Sequence, residues 1–138
     1  MRAADLMTED PVSVSELTTV KEALDLLYEL DVRHLPVVRG DELVGILSDR
    51  DLRRYQSSGN DDEEIVQAIE DPRNPTVSTL MNTNPAQVDP ETEAAEIVEL
   101  MLLHKVGALP VVDAETNQLL GIVSYVDLLR ILQDALSS

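Results

Sequence analysis

Cysteine is absent from the 138 residues, so neither a disulfide framework nor thiolate chemistry is open to this chain. Phenylalanine and tryptophan are absent too, and three tyrosines are the whole aromatic complement. The core must therefore be built from Leu, Val, Ile, Ala and Met, and the aromatic platforms on which single-stranded nucleic acids stack are missing. Positive charge is scarce: 10 Lys and Arg stand against 27 Asp and Glu, a net charge of −17, and only Lys21 and Lys105 are lysines. Such a field repels nucleic acid and anionic lipid, and both are set aside as partners. No run approaches the roughly 18 apolar residues of a membrane span, and the N-terminus lacks a signal-peptide core, so a cytoplasmic protein is expected. The only histidines are His34 and His104, too few for most metal sites. Acids abound, but no carboxylate pair is singled out by spacing. No metal, required cofactor or catalysis is expected.

What the chain does have is 43% hydrophobic residues, enough for a core, and an internal repeat. Leu80-Met81 matches Leu6-Met7, Pro85 matches Pro11, Val88 matches Val14, Thr92 matches Thr18 and Glu96 matches Glu22. Leu109-Pro110-Val111-Val112 matches Leu35-Pro36-Val37-Val38 at an offset of 74 (110 − 36), and Gly121 matches Gly45 at an offset of 76 (121 − 45). The two extra residues fall between Asp113 and Gln118, in a turn, where a structural repeat tolerates them.

Each half reads as strand–helix–strand–strand–helix. A short turn at residues 3–7 leads to an edge strand at residues 12–14. Thr19 with Glu22 forms a capping box, and the helix it opens carries Val20, Ala23, Leu24, Leu27 and Leu30 as a core stripe, with Tyr28 at its margin. A strand through Leu35-Pro36-Val37-Val38 is entered at a proline, which favours a strand's start or an edge. Gly40-Asp41 turns the chain into a second strand at residues 43–47, and a helix runs from Ser48 to about Tyr55. A linker by composition follows at residues 56–60, then a short helix at residues 61–70 closed by Pro72 and Pro75. The predicted division is a first repeat over 1–60, a linker with a short helix over 61–79, and a second repeat over 80–138. Neither half is large enough to cover its own apolar surface, so the two should pack as a pseudo-twofold pair in a mixed α/β (α+β) fold, with related sites in the cleft between them.

Two stretches organise this arrangement. Gly45-Ile46-Leu47-Ser48-Asp49-Arg50-Asp51-Leu52 and Gly121-Ile122-Val123-Ser124-Tyr125-Val126-Asp127-Leu128 each give a strand, a Ser, an Asp three residues on, and a helix. One such Ser-x-x-Asp is close to a plain capping box. Doubled at matching places, it offers helix N-terminal amides to an anion, with a carboxylate beside them to accept from hydroxyls.

These residues resemble a tandem pair of cystathionine-β-synthase (CBS) domains, a Bateman module, across essentially the whole chain. The carriers are Leu-Pro-Val-Val at 35–38 and 109–112, and Gly-Ile-x-Ser-x-x-Asp-Leu at 45–52 and 121–128. The resemblance implies binding of the ribose and phosphate of adenosine nucleotides, AMP, ADP or ATP, or of S-adenosylmethionine. Ser48 and Ser124 would then meet phosphate, and Asp51 and Asp127 ribose hydroxyls. The adenine would lie near Val32, Arg33 and His34 in one half, and near Val106, Gly107 and Ala108 in the other. Thr18 and Thr92 match a further contact position. Arg50, between Ser48 and Asp51, has Val126 as its counterpart and makes the first site the more basic. The resemblance further implies a non-catalytic energy or metabolite sensor, often paired as a homodimer, that acts on a separate regulated protein. The alternative is a ligand-free dimerisation or protein-interaction module.

Overall fold

A computed structural model describes residues 1–52 and 75–137. The expected linker at 56–60, the short helix at 61–70 with Pro72, and the end of the helix that starts after Ser48 lie outside the described residues. In chain order the elements are α1 (Ala3–Leu6), β1 (Thr8–Glu9), β2 (Val14–Ser15), α2 (Val20–Leu30), β3 (His34–Arg39), β4 (Glu42–Ser48), a 3₁₀ turn (Val77–Thr79), α3 (Ala94–His104), β5 (Ala108–Val112), β6 (Leu119–Ser124) and α4 (Tyr125–Ser137). Residues 49–52 are helical as well. The architecture is mixed α+β, as the sequence leads one to expect.

The described residues form two compact units. One comprises 12–40, 44–52 and 75–84, and the other 1–11, 41–43 and 85–137. They are called here the Ser48 unit and the Ser124 unit. Each holds a three-stranded sheet, ordered β2-β3-β4 in the first and β1-β6-β5 in the second.

The pairings repeat with the sequence offset. In the Ser48 unit, Val14 pairs parallel with Val37, and Asn82 bridges Ile46. In the Ser124 unit, Val88 bridges Val111 in parallel, and Thr8 pairs antiparallel with Ile122. The loop ahead of each long helix is tied in the same way. The Val77 N–H donates to the Thr18 carbonyl at 2.8 Å, and the Ala3 N–H to the Thr92 carbonyl at 2.8 Å. Residues 1–11 therefore complete the unit built from the second repeat, and residues 75–84 complete the unit built from the first.

Local signals set the helices. Thr19 closes α2 as the sequence indicates: the Glu22 N–H donates to Thr19 Oγ1 at 3.2 Å, and the Thr19 N–H to Glu22 Oε1 at 3.0 Å. Its counterpart Glu93 makes no side-chain cap. Both helices stop on a left-handed residue, Asp31 (φ 55°) and Lys105 (φ 56°), whose N–H returns to Leu27 and Met101 respectively. The predicted stripe on α2 needs trimming. Val20, Ala23 and Leu27 are buried and Leu24 packs against them, but Leu30 and Tyr28 face solvent. The helix ends at Leu30, so no core wall remains for that side chain to meet.

Pro36 corrects another expectation. It lies inside β3, which is the middle strand of its sheet. It is tolerated because β2 begins pairing only at Val37, one residue beyond it. Pro110 shows the same device: its carbonyl accepts from the Val88 N–H at 3.0 Å, and its missing donor falls on that side, where the short neighbour has only begun.

Each unit has its own aliphatic core. Leu27, Leu35, Val37, Leu47 and Leu52 are among the buried residues of the Ser48 unit, and Ile97, Met101, Leu109, Val111 and Val123 among those of the Ser124 unit. Gly45 and Gly121 let a methionine lie flat on the sheet. A Cβ at Gly45 would stand 2.7 Å from Met81 Sδ, and one at Gly121 would stand 2.5 Å from Met7 Sδ.

Candidate functional site

Each unit brings one Ser-x-x-Asp to the same place, where the last strand of its sheet hands over to a helix. In the Ser48 unit, the Asp49 N–H donates to the Arg33 carbonyl at 2.7 Å. In the Ser124 unit, the Tyr125 N–H donates to the Gly107 carbonyl at 2.9 Å. The backbone ahead of each Leu-Pro strand is thereby pinned to the first turn of the helix. Ala108 pairs directly with Ser124 across β5 and β6. Sequence reasoning named these residues by resemblance but missed the two carbonyls and the two amides that join them. Their signal is positional: each amide belongs to the residue immediately after the motif's Ser.

The two copies then use opposite halves of the capping box. At the first, Ser48 Oγ accepts from the Asp51 N–H at 3.0 Å. Among the described residues nothing donates to the Asp51 carboxylate, which is half-buried. At the second, the carboxylate turns back: Asp127 Oδ2 accepts from the Ser124 N–H at 2.8 Å and from Ser124 Oγ at 3.3 Å. Among the described residues, the amide of Arg50 in one copy, and those of Val126 and Asp127 in the other, have no acceptor. They are the helix-start donors that an anion could take.

The side chains beside the two junctions differ. Arg33 and Arg50 are exposed, and among the described residues neither makes an ion pair. His34 is half-buried beside them. Burial holds its imidazole below the usual histidine range, and the Arg33 charge pushes the same way, while Asp49 and Asp51 oppose both. Its counterpart Ala108 is 4% exposed and belongs to the core, so only its backbone faces the motif. Val32 and Val106 are both exposed beside the first turn's partners.

Thr18 and Thr92 are placed alike, but their hydroxyls serve their own loops. Thr18 Oγ1 accepts from the Ser15 N–H at 3.1 Å, and Thr92 Oγ1 from the Asp89 N–H at 3.2 Å. Among the described residues no hydrogen bond joins either hydroxyl to the Ser or Asp of its unit. Among the described residues there is no cluster of His, Asp or Glu able to hold a metal ion, and no helix is long and apolar enough to cross a membrane.

Two α+β units in one chain, each ending a Leu-Pro strand hairpin in a strand–Ser-x-x-Asp–helix junction, define a tandem-repeat protein with one such junction per repeat. A family model described as CBS domain matches residues 3–58 and 77–134, and the chain belongs to the CBS domain family as a tandem pair. It is 35% identical to a CBS domain-containing protein of Dictyostelium discoideum, over 92% of this chain and 88% of that one. It is 33% identical to an inosine-5'-monophosphate dehydrogenase of Methanocaldococcus jannaschii over 94% of its own length, but it spans only 23% of that protein. Among solved structures, CBSX2 in complex with AMP superposes with a TM-score of 0.81 at 31% identity, with 97% of each chain covered.

Proposed function

We propose that this chain is a regulatory, non-catalytic module that binds an adenosine-containing ligand at its Ser-x-x-Asp junctions. The ligand class is AMP, ADP, ATP or S-adenosylmethionine, and the output passes to a separate regulated protein. The carrying observation is the pair of junctions itself. Each sets unsatisfied helix-start amides beside an acidic side chain, the donor and acceptor pair that a phosphate and a ribose need. A structural relative at 31% identity being a complex with AMP supports the same reading.

In this reading Ser48 and Ser124 mark the phosphate ends, and Asp51 and Asp127 accept from ribose hydroxyls. Val32, Arg33 and His34, and on the other side Val106, Gly107 and Ala108, line the adenine. The acidic field of the chain favours the cationic sulfonium of S-adenosylmethionine over the triphosphate of ATP, whereas Arg33 and Arg50 favour phosphate locally. Isothermal titration of AMP, ADP, ATP and S-adenosylmethionine into the intact chain tests the proposal. Binding of at least one is expected, and its loss in the Asp51→Ala, Asp127→Ala double variant with an unchanged circular dichroism spectrum. Unaltered affinity in the double variant refutes it.

The rival reading, a ligand-free interaction module, draws on the fact that both motifs already act as helix caps. Thermal melting separates the two. A native-state ligand raises the melting temperature by mass action, and a panel of adenosine ligands that leaves it unmoved favours the rival.

A further inference from the structure

The chain has four methionines and no cysteine, so thioethers are its only sulfur open to oxidation. Two of the four hold matching places. Met7 crosses Gly121 in the Ser124 unit, and Met81 crosses Gly45 in the Ser48 unit. Each packs against the buried core of its unit yet stays half-exposed. The other two depart from this in opposite directions: Met1 is 64% exposed, and Met101 is 7% exposed within the core. Each crossing holds an outlying segment on its sheet. Met7 belongs to residues 1–11, whose Thr8 and Glu9 pair with Ile122 and Gly121. Met81 precedes Asn82, which exchanges backbone bonds with Ile46 at 3.0 and 3.1 Å. Both glycines lie on the strand that leads into the junction, three residues ahead of the motif's Ser. The backbone atom sharing the space over each glycine is a carbonyl, of Thr8 in one copy and of Asn82 in the other.

We propose that Met7 and Met81 are matched sites of reversible oxidation by peroxide, and that the sulfoxide at each releases the segment it holds. In the forward step a sulfur lone pair attacks one peroxide oxygen. The S–O bond forms, the O–O bond breaks, and the departing oxygen leaves as water. Sulfur loses two electrons and the peroxide gains them. A thiol-dependent sulfoxide reductase reverses the step: two thiols become a disulfide, and the oxygen leaves as water. A thioether suits the glycine because it is unbranched, apolar and content without a partner. A sulfoxide oxygen is a strong acceptor, and the carbonyl beside it cannot donate. The oxygen must turn to water, which draws the side chain off the glycine and off the core. Half-exposure lets peroxide reach these two sulfurs before Met101. Contact with the core makes their oxidation costly, where that of the exposed Met1 is not. The inference stands without any ligand, and only its consequence for affinity at the junctions rests on the function proposed above.

Hydrogen peroxide titrated into the intact chain, followed by peptide mass spectrometry and thermal melting, tests it. Met7 and Met81 should gain one oxygen severalfold faster than Met101, and the melting temperature should fall by about 4 °C or more as they do. Amide exchange should rise at Ile46 and Asn82 and stay unchanged in the middle of α2. Methionine sulfoxide reductase with dithiothreitol should restore the original melting curve. The Met7→Leu, Met81→Leu double variant, apolar and of similar volume, should hold its own melting temperature under the same dose. Norleucine in place of every methionine supplies the same control with the native shape, a methylene standing where sulfur was. The proposal is overturned if Met7 and Met81 react no faster than Met101, or if both are fully oxidised without a shift in melting. An equal fall in the double variant or the norleucine chain overturns it too, as does a loss that the reductase does not restore.

Discussion

At the scale of the residue, the two junctions distribute one capping box differently, and the difference is measurable. Ser48 satisfies the N3 amide through its hydroxyl, whereas in the other copy Asp127 satisfies the backbone of Ser124. Ser48→Ala should therefore cost about 0.5–2 kcal/mol of stability, and Ser124→Ala clearly less. With aspartate the order reverses: Asp127→Ala should cost stability and Asp51→Ala little. Denaturant melts of the four variants check this, and equal costs at both copies would contradict it. The same geometry bears on affinity. Among the described residues nothing donates to the Asp51 carboxylate, so under the proposed function it can accept from a ribose at once, while Asp127 must first give up its bonds to Ser124. With Arg33, His34 and Arg50 at hand, the Ser48 junction is expected to hold AMP and ATP more tightly, with the larger margin for ATP. Titrating both ligands into Asp51→Ala and Asp127→Ala separately tests it, and equal fractional losses would make the junctions equivalent. His34 adds a pH dependence. Its folded pKa lies below its ordinary value of 6.5 because burial, then Arg33, disfavours the imidazolium. The folded state thus binds fewer protons than the unfolded chain, so the contribution is complete above pH 6.5 and is lost as pH falls through the folded pKa. His34→Gln should flatten the melting curve in that window. Further down, Glu16 with its bonds from Arg39, Glu22 with its bonds from Thr19, and Asp113 with amides from Thr116 and Glu115 are all held below the usual carboxylate range. Their contributions persist above about pH 4.5 and fade below it, giving a second, acid limb in which His34→Gln changes nothing.

At the scale of the element, the two motif strands tolerate only glycine where a methionine crosses them. Gly121→Ala would bring its methyl to 2.5 Å from Met7 Sδ and 2.8 Å from the Thr8 carbonyl, and Gly45→Ala to 2.7 Å from Met81 Sδ and 3.0 Å from the Asn82 carbonyl. Each should destabilise by about 1–3 kcal/mol, Gly121→Ala the more, as for overpacked cores. Adding Met7→Ala or Met81→Ala should recover only part, because the carbonyl stays where it is. Full recovery in a denaturant melt would contradict the account. These glycines were legible in the sequence as markers of the repeat, but the reason for them was not, since nothing local says that Met7 lies over Gly121. The same holds more widely. Whatever rests on neighbours in the chain could be read directly: the Thr19 box, the two hairpins, the Ser-x-x-Asp junctions, and the repeat offset of 74 before the hairpin turn and 76 after it. What rests on distant partners could not. Pro36 reads as a strand's start or an edge because its strand's short neighbour is invisible locally. Leu30 reads as core because periodicity does not say where a helix stops. The opposed use of Ser48 and Asp127 depends on side-chain rotation between two near-equal hydrogen-bonding choices, which the shared pattern Ser-x-x-Asp leaves open.

At the scale of the whole molecule, charge and chain path dominate. With −17 over 138 residues, self-repulsion among carboxylates opposes the folded state, and salt at 0.1 M screens it over about 10 Å. The melting temperature should rise with potassium chloride, and a flat or falling curve would show that pairing among the acids' few basic partners already offsets the repulsion. The path of the chain has its own effect, on the order in which a ribosome delivers the parts. β1 emerges well before the strand it pairs with, since Ile122 follows Thr8 by 114 residues (122 − 8). At about 5–20 residues per second, β1 waits roughly 6–23 s with an unpaired edge. The Ser48 unit draws only on residues 12–84, so its last segment arrives while β5 and β6 are still unmade. Synthesis therefore finishes the Ser48 junction first, and residues 1–11 wait for β5 and β6 although they are made before the whole of the Ser48 unit.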